Sequence, residues 1–227
     1  MNNQTVSFLR QMDIFNPDCF CQPCCIIGVG AIGSRLAENL ARLGIKRLEL
    51  YDGDTVKSHN IPTGAFLPNS MGTHKVDAME KQLSLVFPKI KIFAYRQMVK
   101  EAIKFRGIVF LCVDSMAARR EIWKNCIKHN PAVPLMVEIR IGPRHGIIYT
   151  VNPLDLKEIE CWEQASAYGD GYNEQLPCTL RAVITTVNIT VGLAVDQLIK
   201  WHSQQWLANC MVVGLQDRPV LVADRWT

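Results

Sequence analysis

The sequence predicts an α/β fold: a mostly parallel sheet with helices on both faces. Three observations carry that expectation. Short apolar runs of strand length alternate with amphipathic runs of helix length, a glycine-rich turn joins the first strand to the first helix, and the composition is globular. Of 227 residues, 48% are hydrophobic and 20% charged, which excludes disorder and coiled coil as readings.

Taken in order, Cys24–Ile27 reads as a buried strand, followed by a glycine turn and a helix from about Ser34 to Leu43. Arg47–Tyr51 is a second strand. Val76, Met79 and Leu83 recur at helical spacing within 74–86, and 90–95 returns to strand. The apolar run 108–113 is a strand, with a helix from Met116 to His129 behind it. Strands come next at 135–139 and 146–151. This βαβ alternation gives parallel strands with right-handed crossovers. From Asn152 to Pro177 the pattern lapses, and a loop of that length reads as a lid or binding loop, so 152–178 is expected to be a crossover segment. Beyond it lie a long helix from about Leu180 to His202 and two short strands at 211–213 and 220–222. Residues 1–227 are expected to form one domain.

Charge and cysteine usage narrow the function classes. A formal net charge of +4 is too small to imply nucleic-acid binding. Nine cysteines suit a disulfide scaffold only in a secreted chain, and the N-terminus MNNQTVSFLRQMDIF has no apolar signal region. Reduced thiols and a cytoplasmic location are expected. The apolar stretch 182–199 contains Asn188 and Asp196. An Asp in a spanning helix costs about 3 kcal/mol, so no membrane span is expected. Cys24 and Cys25 belong to the buried first strand, where cysteine acts as a small hydrophobe, and zinc is not expected.

Gly28-Val29-Gly30-Ala31-Ile32-Gly33 lies between an apolar strand and a helix. Glycines there let backbone N–H groups approach a phosphate, and the helix dipole favours the anion. Asp52 comes nineteen residues after Gly33, at the end of the second strand, where a carboxylate can bond ribose hydroxyls. An NAD(P)-dependent oxidoreductase fits these features equally well, and a glycine turn serving only packing is the bland alternative.

Motifs further along the chain separate the readings. Asp52-Gly53-Asp54-Thr55-Val56 leads to His59-Asn60, then Gly72-Thr73-His74-Lys75-Val76 at a helix start, then Asp114-Ser115 with Arg119 five beyond the Asp. In this order the pieces resemble the ThiF/MoeB/HesA family, the Rossmann-like nucleotide-binding core shared with ubiquitin-activating enzymes. The resemblance runs from about Arg10 to Trp201. It implies ATP-dependent adenylation of the C-terminal glycine of a small ubiquitin-like or sulfur-carrier protein. Such a carboxylate is already ionised at neutral pH, so catalysis is positioning and charge neutralisation rather than base chemistry.

Carried over residue by residue, the resemblance implies a nucleotide site of Gly28, Gly30, Ala31, Gly33, Asp52, Asp54, Asn60, Lys75 and Ser115. Lys75 would clamp phosphate, Asp52 would take the ribose, and Asp54 and Asn60 would organise the adjoining loop. Asp114 would hold Mg²⁺, with a helix N-cap as its structural alternative. Arg10 matches an arginine that reaches the partner subunit's nucleotide in trans, which implies a homodimer; an apolar helix at 182–199 offers further surface for one. Pro177-Cys178-Thr179-Leu180-Arg181 resembles the setting of the catalytic cysteine, which implies a thioester on Cys178; Cys161 is the competing thiol, and a buried structural role the bland reading. A conjugating enzyme or a sulfurtransferase would then act on the product.

Two departures stand out. The family carries Arg-Gln where Thr63-Gly64 stand here, and Arg35, on the first turn after the glycine loop, is the candidate substitute cation. The paired C-x-x-C zinc ligands are absent. Beside the activating-enzyme reading stand the oxidoreductase, which leaves Lys75 and Asp114 unexplained, and a non-catalytic partner subunit, which the Thr63 departure keeps open.

Overall fold

The computed structural model describes residues 6–167 and 182–226. Eight strands form one sheet: β1 (Cys24–Ile27), β2 (Arg47–Tyr51), β3 (Lys91–Tyr95), β4 (Ile108–Leu111), β5 (Leu135–Ile141), β6 (His145–Val151), β7 (Cys210–Gly214) and β8 (Val220–Asp224). Their order across the sheet is β3-β2-β1-β4-β5-β6-β7-β8. The first five pair in parallel, while β6, β7 and β8 pair antiparallel. The mostly parallel, two-faced α/β fold expected from the sequence is thus present, with an antiparallel flange.

Alternation along the strands builds two cores. Cys24 and Ile26 face one side with Leu36, Leu40, Val76, Met79, Val191 and Leu198. Cys25 and Ile27 face the other with Val109, Leu111, Trp123, Ile127 and Trp162. The first core lies under α1 (Ala31–Leu43), α2 (Lys75–Val86) and α5 (Ile184–His202), the second under α3 (Met116–Ile122) and α4 (Leu156–Ala167). Continuous apolar runs such as Ile108–Leu111 are what a strand buried on both faces requires.

Three expectations need correction. Helix α1 opens at Ala31, not near Ser34, because the second half of the glycine loop is already its first turn. The run 116–129 is not one α-helix: after Ile122 it widens to a π-helix over Trp123–Ile127, and His129 then turns the chain at φ 58°. Trp123 packs there on Trp162, with ring centroids 4.6 Å apart, and its indole N–H reaches Glu163. The segment expected to be loop from Asn152 onward contains α4, capped by Asp155, whose carboxylate accepts the N–H groups of Lys157 and Glu158. The acidic and aromatic residues that broke the β-pattern are the exposed and buried faces of that helix.

The long apolar helix is α5. Thr186, Val187, Thr190, Val191, Ala194 and Leu198 are buried against the sheet and α1, leaving Ile189 as an exposed apolar side chain. Most of its apolar surface is therefore spent inside the chain, so it is a weak argument for a dimer. No described helix is long and apolar enough to cross a membrane.

Candidate active site

The site forms where β1, β2 and β4 end. β1 lies between β2 and β4, so successive crossovers leave in opposite directions and open a crevice at the carboxyl edge. At the head of that crevice Gly28 adopts φ 89°, and its N–H bonds the Tyr51 carbonyl at 2.8 Å. A Cβ on Gly28 would lie 2.9 Å from the backbone of Cys112 and Val113, and one on Gly33 would lie 2.0 Å from the Gly28 carbonyl oxygen. Only glycine allows the turn and the start of α1 to approach this closely.

Gly30 differs. It is the N-cap of α1, no side chain caps the helix there, and a Cβ on Gly30 would meet nothing within 4 Å. The first N–H groups of α1, from Ala31 onward, thus face open space at the positive end of a 13-residue helix. This is a cradle that fits an anionic phosphate chain. Ser34 stabilises its wall: the hydroxyl donates to Gly30 O at 2.6 Å and accepts the Ala65 N–H at 3.0 Å. That second bond holds the loop after Asn60 against α1. Asn60 shapes the same loop, its side-chain oxygen accepting the Lys57 N–H at 2.9 Å and its carbonyl the Gly64 N–H at 2.8 Å.

Asp52 stands just past β2 and is buried. Its Oδ2 accepts the Val29 N–H and its Oδ1 the Asp54 N–H, each at 2.8 Å. The Asx turn at this position therefore belongs to Asp52, leaving the Asp54 carboxylate to pair with Lys75. Lys75 opens α2, where His74 is the N-cap, and its Nζ lies 2.8 Å from Asp54 Oδ2 and 3.4 Å from both oxygens of Asp52. The Lys75 ammonium holds the Asp54 carboxyl below its ordinary value. Backbone bonds fasten the arrangement, Lys75 N–H to Asp54 O at 3.0 Å and Val56 N–H to Thr73 O at 2.8 Å.

On the far side of β1, two strand spacings or about 10 Å from Asp52, the chain leaves β4 through Asp114 and Ser115. Ser115, not Asp114, caps α3, its hydroxyl accepting the Ala118 N–H at 3.4 Å. Asp114 is exposed, and no hydrogen bond or ion pair engages its side chain among the described residues. No three His, Cys, Asp or Glu side chains gather as a metal site among the described residues. A Mg²⁺ bound through phosphates needs only one or two carboxylates, so Asp114 is chemically suited to share one with a nucleotide.

The structure thus brings together Gly28, Gly30, Ala31, Gly33, Asp52, Asp54 and Lys75, with Asp114 and Ser115 across β1 and Asn60 shaping the flanking loop. Arg10 is elsewhere. It is exposed on a 3₁₀ turn, Leu9–Gln11, whose Gln11 side chain donates to Leu43 O at 2.7 Å at the far end of α1. Thirteen helical residues put it about 20 Å from the glycine loop of its own chain, beyond an arginine's reach. A cavity of about 600 Å³ lined by Phe8, Met12, Ile45, Phe87 and Ile90 lies beside it, at the amino edge of the sheet and away from the crevice. Cys178 lies outside the described residues. Cys161 is half-buried on α4.

Sequence reasoning missed the cluster that braces this edge. Glu138, fully buried on β5, accepts from Arg119 at 2.8 Å, from Arg140 Nε at 2.7 Å and from the Trp162 indole at 2.5 Å. Burial alone pushes the Glu138 carboxyl up, but Arg119, Arg140 and Trp162 outweigh it and hold it below 4.5. Arg119 also donates to the carbonyls of Leu111, Val113 and Ile139, fixing the turn that carries Asp114. Opposite charges at alternate positions of an apolar strand, Glu138 and Arg140, were the available signal.

Comparison with known proteins bears on the fold and the family. Ubiquitin-like modifier-activating enzyme 5 of Culex quinquefasciatus is 33% identical over an alignment of 118 residues covering 44% of this chain and 30% of that protein. The namesake from Oryza sativa subsp. japonica is 34% identical over 119 residues, 44% of this chain and 28% of that protein. This chain thus spans about a third of the length of those relatives. Among solved structures, E. coli MccB with ATP superposes with a TM-score of 0.73 at 13% identity, over 92% of this chain and 65% of that one. PaaA superposes with a TM-score of 0.70 at 17% identity, over 98% of this chain and 87% of that one. At such identities the likeness establishes the fold. A sequence model of the ThiF family matches residues 19–214, from just before β1 to the end of β7 and so across the whole crevice. The chain belongs to the ThiF family.

Proposed function

We propose that this protein uses ATP to adenylate the C-terminal carboxylate of a small ubiquitin-like or sulfur-carrier protein. The observation that carries the reading is the uncapped N-terminus of α1 at Gly30, open to an anion and flanked by Lys75 on one side and Asp114 on the other. A plain dehydrogenase site has no use for the last two. The relatives named for ubiquitin-like modifier activation support a protein tail as the acceptor, and the structure of MccB with ATP supports the nucleotide.

In this reading Asp52 meets the ribose, the N–H groups after Gly30 meet the phosphates, Lys75 neutralises them, and Asp114 holds Mg²⁺. The tail carboxylate attacks the α-phosphorus, the bond to the bridging oxygen breaks, and pyrophosphate leaves with that electron pair. The product is an acyl-adenylate. Arg10 serves the site of a second copy, and the Cys178 thiolate then takes the acyl group, releasing AMP.

ATP–pyrophosphate exchange tests the proposal. Exchange that depends on a protein tail ending in glycine supports it. Silence with every tail, or calorimetric binding of NAD tighter than ATP, overturns it. A non-catalytic partner subunit is the second reading, favoured by the full engagement of Lys75 with Asp52 and Asp54; such a chain exchanges pyrophosphate only when mixed with its active counterpart.

A further inference from the structure

The charge balance of the crevice is incomplete. Lys75 is shared by the carboxylates of Asp52 and Asp54, so that trio is net negative before any ligand arrives. A nucleoside triphosphate brings about four more negative charges near neutral pH, and one divalent cation removes only two. Another cation is needed within reach of the α1 N-terminus.

Arg35 is the cation nearest in sequence to that helix end. It lies four residues after Ala31, one helical turn or about 6 Å from the start of α1. The side chain stands on the face of α1 that the Thr63 loop covers. Its guanidinium is only lightly held. Nε reaches Thr63 O at 3.4 Å and one terminal nitrogen reaches Glu38 Oε2 at 3.5 Å, both at the long limit, and its other donors have no partner among the described residues. Glu38 is meanwhile engaged more closely by Arg42, at 2.9 Å. Arg35 can therefore leave both contacts at little cost. The loop it touches is pinned to α1 through Ser34 and Ala65, so the guanidinium rests between that loop and α1.

We propose that Arg35 swings from Thr63 and Glu38 onto the β- or γ-phosphate of the bound nucleoside triphosphate, as the second phosphate-binding cation beside Lys75. This rests on the reading of the crevice as an ATP site. Calorimetry with ATP and with AMP, each with Mg²⁺, separates the two. Arg35→Ala should weaken ATP binding about tenfold or more, the usual effect of losing a charged hydrogen bond, and leave AMP binding within about twofold. Equal weakening of both, together with a lowered melting temperature, would show that Arg35 merely anchors the Thr63 loop and would overturn the proposal. So would unchanged ATP affinity. A wild-type protein that binds neither nucleotide refutes the ATP site itself, and Arg35 with it. If Arg35→Ala does not fold, Glu38→Gln decides. Freeing the guanidinium should tighten ATP more than AMP, and the double variant Arg35→Gln/Glu38→Gln should lose that gain. No tightening in Glu38→Gln counts against Arg35.

Discussion

Trp162, on the helix that leads into residues 168–181, donates its indole N–H to Glu138 at 2.5 Å in the floor beneath the crevice. The same carboxylate forms ion pairs with both Arg119 and Arg140. One buried acid thus ties α4, α3 and β5 together. Removing its charge leaves two buried guanidinium groups without that partner, which typically costs about 3–5 kcal/mol. Glu138→Gln is expected to destabilise the fold by that order, and Trp162→Phe, losing one hydrogen bond, by about 1 kcal/mol. Urea melts of both variants check this; a Glu138→Gln loss below that of Trp162→Phe would refute the ranking.

The same acid contributes to the pH dependence of stability. The Glu138 carboxyl is held below its ordinary value of 4.5 in the folded state. Its ionisation therefore adds stability that is fully present above that value and is lost as pH falls through the lower folded value. Wild-type stability should drop on acidification below about 4.5 more steeply than that of Glu138→Gln. Parallel curves from denaturant melts across that range would remove Glu138 as the cause.

Gly33 and Gly30 should separate packing from binding. A Cβ on Gly33 would press within 2.0 Å of the Gly28 carbonyl oxygen, whereas one on Gly30 would project into open space. Gly33→Ala should lower the melting temperature by several degrees or abolish folding, the clash costing on the order of 2 kcal/mol. Gly30→Ala should change stability by less than about 1 kcal/mol yet weaken ATP binding, because the methyl group occupies phosphate space. A Gly30→Ala protein that binds ATP like wild type would show that the anion lies elsewhere.

Much of this was legible in the sequence. Short apolar runs located all eight strands, and the continuous ones such as Ile108–Leu111 did so because a strand buried on both faces requires them. The order of Gly28, Asp52, Lys75 and Asp114 pointed to one sheet edge, because Gly28, Asp52 and Asp114 follow the ends of strands and Lys75 opens the next helix. What was not legible depends on contacts distant in sequence. Helix α4 was hidden because Asp155, Glu158, Glu160 and Glu163 read as loop polarity until Ile159 and Trp162 were seen to share a buried face. The engagement of Asp52 with Val29 N–H and Lys75, both twenty-three residues away, is not written in any local spacing.

Arg10 tests the dimer. At about 20 Å from its own glycine loop it is useless in cis, so any contribution must come from a second copy. Arg10→Ala and Asp114→Ala proteins should each lose pyrophosphate exchange. Mixed together they should recover a fraction of it, because a mixed dimer contains one site with both residues intact. Absence of recovery in a mixture shown by sedimentation to contain dimers would refute the trans role.

The last prediction concerns which thiol would take the acyl group under the proposed reaction. Burial pushes the thiols of Cys24, Cys25, Cys126 and Cys210 up from their ordinary value and that of Cys112 to about 12, so all five stay protonated and poorly nucleophilic. Cys19 and Cys21 are exposed but precede β1, at the opposite edge of the sheet from the crevice. Two thiols remain: Cys161, half-buried on α4 beside Trp162, and Cys178, in the Pro-Cys-Thr-Leu-Arg stretch outside the described residues. Trp162 is fixed by Glu138 and Trp123, so Cys161 is tethered to a braced helix and cannot travel to an adenylate without breaking that floor. Cys178 is then the remaining thiol. Cys178→Ala should therefore retain pyrophosphate exchange and lose the thiol-sensitive adduct with the substrate protein on a non-reducing gel, while Cys161→Ala retains both. The reverse pattern would assign the thioester to Cys161, and exchange with no adduct in the wild type would mean that the reaction ends at the adenylate.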